Sequence, residues 1–88
     1  MGIRDFIRNL EKHREKVQQS GALPEEERRE ILREAEMMVG MADHAIKSLE
    51  SALNNRHLNL NEEHAVRFAQ DVFAYLRDQE EDIKAKLR

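Results

Sequence analysis

The stretch His44-Ala45-Ile46-Lys47-Ser48 holds residue types whose spacing could do covalent chemistry. On a helix Lys47 lies at i+3 from His44, while Gly40 and Ser48 lie at i−4 and i+4, so all four share one face. An imidazole held in the open is a nucleophile, and a cation one turn away can neutralise a phosphate. Small residues on either side leave room for a docking partner. His44 could therefore accept a phosphoryl group. Met37 and Met41 share a face with His44, and thioether and imidazole ligands suit a soft ion such as Cu(I). A methionine stripe at helical spacing otherwise serves packing, and no metal or other cofactor is expected.

The pattern His-x-x-Lys-Gly/Ser, present as His44-Ala45-Ile46-Lys47-Ser48, resembles the phosphoacceptor signature of histidine phosphotransfer (HPt-like) domains. The resemblance implies a small acidic helical bundle with His44 as phosphoacceptor and Lys47 as the neighbouring cation. It also implies that Gly40 and Ser48 keep the approach to the ring clear. Phosphotransfer is accordingly the alternative function. Other chemistries find no support in the sequence. His13, His57 and His64 lack a carboxylate three residues earlier, so the Glu-x-x-His pattern of di-iron bundles is missing. Phosphate-binding glycine loops, zinc spacings and Ser-His-Asp sets are likewise missing. The acidic residues read as solvent-facing partners of Arg and Lys, with no acid/base couple among them, and the leading reading is not an enzyme.

Composition narrows the classes further. The chain has 88 residues, 38% of them charged and 40% apolar, with Gly 3, Pro 1 and no cysteine. That mix favours helices over strands. Without cysteine there can be no disulfide, thiolate zinc site, iron–sulfur ligation or Cys nucleophile. A net charge of −3 lacks the basic footprint that phosphate backbones demand, so nucleic acid is not an expected partner. The charge runs +2 over residues 1–20, −3 over 21–56 and −2 over 57–88. No apolar run is long enough to span a bilayer, and the N-terminal stretch has no apolar signal core, so a cytoplasmic protein with no membrane partner is expected. Met1-Gly2 does not make a myristoylation signal, because Phe6 stands where Ser or Thr is needed.

The elements that must position these residues are three amphipathic helices in one domain, residues 1–88. Ile3, Phe6, Ile7, Leu10, His13 and Val17 recur at spacings of three and four, giving a helix over about residues 3–19. Ser20 to Pro24 breaks it, with Gly21 suited to a left-handed cap and Pro24 to the next first turn. Glu25, Glu26 and Glu27 then complement the positive end of a second helix, over about 25–54. Asn54 to Asn61 reads as a loop. Asn61 is the expected N-cap of a third helix over about 62–87, with Leu60 stapled against Ala65. Its buried stripe runs through Ala65, Val66, Ala69, Val72, Phe73, Leu76, Ile83 and Leu87. Short connections predict an all-α, up-down-up antiparallel three-helix bundle with one short and two long helices.

The long helices are apolar over more than one face. A single bundle seat on helix 2 accounts for Leu32, Val39, Ala42, Ile46 and Leu49, and leaves Met37 and Met41 outside it. Phe68 and Tyr75 widen helix 3 in the same way. A helix apolar beyond one stripe is usually buried on two sides, and methionine suits adaptable surfaces. The expectation is a homodimer forming a larger helical bundle or coiled coil, or binding to another helical protein. Met37, Met38, Met41, Ala45, Phe68 and Tyr75 form the candidate interface. Gly40, inside helix 2, serves close helix approach or room for a ligand, or is a tolerated surface glycine. The function expected is a non-enzymatic protein–protein interaction module: an adaptor, regulator or assembly factor.

Overall fold

The computed structural model describes residues 2–18, 23–55 and 57–88. It contains α1 (Ile3–Gln18), α2 (Glu25–Asn55) and α3 (Leu60–Leu87), with no strand among the described residues. The molecule measures 52 × 20 × 16 Å, an elongated body set by the length of its two long helices. None of the helices, over the described residues, is long and apolar enough to cross a membrane.

Each helix start has a local cause. The Gly2 carbonyl accepts the amides of Asp5 and Phe6 at 3.1 and 3.2 Å and begins α1. The Pro24 carbonyl accepts the Arg28 amide at 3.0 Å, and three glutamates occupy the first turn of α2. The expected left-handed Gly21 lies outside the described residues. For α3 the cap is Asn59, a correction to the expected Asn61. The Asn59 side chain accepts the Glu62 amide at 2.8 Å, and the Glu62 carboxylate accepts the Asn59 amide at 3.2 Å. This reciprocal box needs Glu or Gln at the third helical position, and from Asn61 that position would be His64. The helix consequently begins at Leu60, whose side chain is exposed rather than stapled.

The core gathers Phe6 and Leu10 from α1, Ile31, Met38 and Ala42 from α2, and Leu76, Ile83 and Leu87 from α3. Leu32 and Val39 are only half-buried, so the seat on α2 runs through Ile31, Ala35, Met38 and Ala42, one position round from the expected stripe. Phe6 meets Phe73 edge-on, with ring centroids 6.4 Å apart. Polar ties join α2 to α3 along their length. Gln70 donates to the Ile46 carbonyl at 3.2 Å, Arg77 to Asp43 at 3.0 Å, and Arg28 to the Leu87 carbonyl at 2.8 Å.

Candidate functional site

His44, Lys47 and Ser48 are all exposed on α2. Gly40, one turn before His44, is exposed too, and a Cβ built there meets nothing within 4 Å. Among the described residues no other helix approaches that glycine closely. The face around His44 is thus open to solvent from position 40 to 48.

The six apolar interface candidates are distributed over separate places. Met38 belongs to the chain's own core at 2% exposure. Met41 and the half-buried Ala45 line an apolar crevice with Gly2, Ile3, Phe6 and Phe73, at the beginning of α1. Met37 instead borders a shallow hollow with Leu32, Arg33, Glu36 and Arg88. Phe68 and Tyr75, seven residues apart and so on one flank of α3, are 71% and 57% exposed. Leu60, not singled out from the sequence, is 67% exposed. The structure therefore does not gather the six into one patch.

α1 covers only part of the long pair. Its ties run to Glu27 and Glu34 on α2 and to Phe73, Gln79 and Glu80 on α3, and its first residues reach the crevice at Ala45. α2 continues ten residues past Ala45, and α3 starts thirteen residues before Phe73. At 1.5 Å per residue this leaves roughly 15–20 Å of the α2–α3 pair without a third helix. Phe68 stands on that segment, with Leu49, Leu53, Val66 and Ala69 half-buried on it.

A cluster that sequence reasoning missed lies at the opposite end. His13 is 0% exposed and its Nδ1 stands 3.2 and 3.1 Å from the two carboxylate oxygens of Glu80, itself 0% exposed. Its Nε2 lies 2.8 Å from Oε2 of Glu34, a side chain 27% exposed. Glu80 is a correction to the reading of the acidic residues as solvent-facing. Burial pulls the His13 pKa down, but hydrogen bonds to Glu80 and Glu34, reinforced by their charges, outweigh it and hold the pKa above the ordinary 6.5. The three side chains come one from each helix. Since the two carboxylates flank opposite nitrogens of the ring, they cannot join it around a single ion, and no group of three potential metal ligands occurs among the described residues.

No family model, no curated protein and no solved structure matches the chain.

Proposed function

We propose that the chain is a non-enzymatic helical interaction module that works in the cytoplasm through self-association, built as an up-down-up antiparallel bundle. The observation that carries this reading is the exposed apolar set on α3, led by Phe68 at 71% exposure on a segment that α1 leaves bare. The arrangement is supported by pairs that descend along α2 as they rise along α3, 46 with 70, 43 with 77 and 28 with 87. It is supported also by pairs that rise together along α1 and α3, 6 with 73 and 13 with 80.

The bare segment is one to two helix widths across and roughly 15–20 Å long, or about 300–400 Å² per copy. Two copies joined tip to tip bury roughly 600–800 Å², below the roughly 1,200 Å² of stable complexes. The dimer is therefore weak and concentration-dependent, with Phe68 as its anchor. A partner's helix laid beyond the start of α1 uses the same surface. Sedimentation equilibrium tests it: the apparent mass rises from 10.4 kDa toward twice that value with concentration. In Phe68→Ser the midpoint moves at least tenfold higher, as loss of an anchor requires. A monomer at every concentration, or equal association by the variant, refutes the reading.

One observation favours a second reading, phosphotransfer through His44: the ring, Lys47 and Ser48 are exposed and the Gly40 surface is clear. In that reaction a receiver's aspartyl phosphate loses its O–P bond as an N–P bond forms on the imidazole. Incubation with a phosphorylated receiver domain should label wild type and spare His44→Gln. Equal labelling of both, or of neither, defeats it.

A further inference from the structure

Both ring nitrogens of His13 face carboxylate oxygens, which accept and do not donate when ionised. A neutral imidazole has one N–H, so it can satisfy only one of its two sides. With the lone pair on Nε2, two acceptors stand 2.8 Å apart. With it on Nδ1, the fully buried Glu80 carboxylate loses its donor. With both carboxylates ionised, only the imidazolium answers both helices, and it also offsets one of the two negative charges.

We propose that protonated His13 is a clasp fastening α1 to the α2–α3 pair, and that losing this proton to water frees α1 and bares the apolar face beneath it. The inference does not depend on self-association. On the α2 side, Glu34 shares a crevice with Glu27, Glu30, Lys12 and Lys16, and Lys16 is tied to Glu27 at 3.0 Å. On the α3 side, Glu80 is flanked along the helix by Arg77, bonded to Asp43 and Asp78, and by Lys84, paired with Glu36 and Glu81. Lys16, Arg77 and Lys84 are engaged with other carboxylates, and neither Lys12 nor Arg14, which is bonded to Gln79, is ion-paired with Glu34 or Glu80 among the described residues. The charge answering Glu80 and Glu34 is that of the ring.

The sign follows from linkage. A ring that holds its proton more tightly when α1 is docked favours docking fully below 6.5, and the advantage is lost as pH rises through the docked value above it. Nuclear magnetic resonance of the full chain from about pH 6 to 9 reads both halves, the His13 ring shifts and the amide protection factors of α1. The protection of α1 relative to α3 should fall by up to tenfold per pH unit from about 6.5 upward and level off where the docked ring loses its proton. Glu34→Gln, at the solvent edge of the cluster, should fold, should bring the levelling-off to lower pH and should make the total fall smaller. Flat α1 protection across the range overturns the clasp. So does loosening that does not level off where the docked ring titrates, or an unchanged levelling-off in the variant.

Discussion

Replacing Glu80 with leucine strands the His13 imidazolium in the core with Glu34 as its only charged partner. His13 and Glu80 are both 0% exposed, so no water reaches the site to compensate. Removing one member of a buried ion pair costs about 3–5 kcal/mol. A chain of 88 residues has roughly 4–13 kcal/mol of total stability, so the single substitution takes a large share of it. Replacing His13 with leucine at the same time removes the stranded charge and leaves two apolar side chains near Leu10, Leu76 and Ile83. Glu34 can then turn to solvent. Buried ion pairs exchanged for apolar residues of similar volume are often neutral or stabilising by about 1–4 kcal/mol. The double variant should therefore match or exceed wild type, with a coupling of at least about 3 kcal/mol between the two positions. Urea unfolding at about pH 6, followed by far-ultraviolet circular dichroism, measures all four corners of the cycle, with equal slopes as the check on two-state behaviour. A double variant that loses the sum of the two single losses would mean that His13 and Glu80 act independently, and the reasoning would fail.

Gly40→Ala should stabilise the chain by about 1 kcal/mol, because the position is a helix interior with open space around the new methyl; thermal unfolding should show a rise of about 4–8 °C. Asn59→Ala should cost about 1 kcal/mol through loss of the capping box, whereas Asn61→Ala should be nearly silent; a chemical-denaturation pair distinguishes the two caps. Phe68→Ser should leave monomer stability within about 0.5 kcal/mol while weakening association, since the ring is 71% exposed in the single chain.

The three helices were legible because their apolar residues keep helical spacing and their first turns carry acidic residues. Expected bounds of about 3–19, 25–54 and 62–87 compare with Ile3–Gln18, Glu25–Asn55 and Leu60–Leu87. The misplaced cap came from giving Asn61 priority over the Asn59-x-x-Glu62 spacing, which was present to be read. Met38 was assigned to an interface because the run around it is apolar nearly all round. One residue is 100° on a helix, so small differences in seating decide which methionine enters the core. The cluster was half legible. His13 lay on an apolar stripe, and Glu80 sits four residues after Leu76 and three before Ile83, a core position. A glutamate there reads as solvent-facing because glutamate is almost never fully buried unless paired. The pairing depends on which faces of three helices meet, which spacing within one helix does not encode.

That pairing restricts how α1 can lie on the other two helices. Its apolar residues Phe6, Leu10 and Val17 are close enough to a repeat that a slide of one heptad would exchange one for another at modest cost in buried area. The same slide would bring Phe6 to the place of His13, between Glu34 and Glu80. Glu80, fully buried, would then face an aromatic ring with no donor, and His13 would be carried a further heptad along α3, to the height of Leu87 and away from both carboxylates. Each unpaired group costs at least about 1–3 kcal/mol, and more for the charged carboxylate. Apolar contacts help hold α1 against the pair at any height; the three polar side chains favour one height. Because that height decides where α1 begins, it also decides how much of α2 and α3 is left bare, and Phe68 with it.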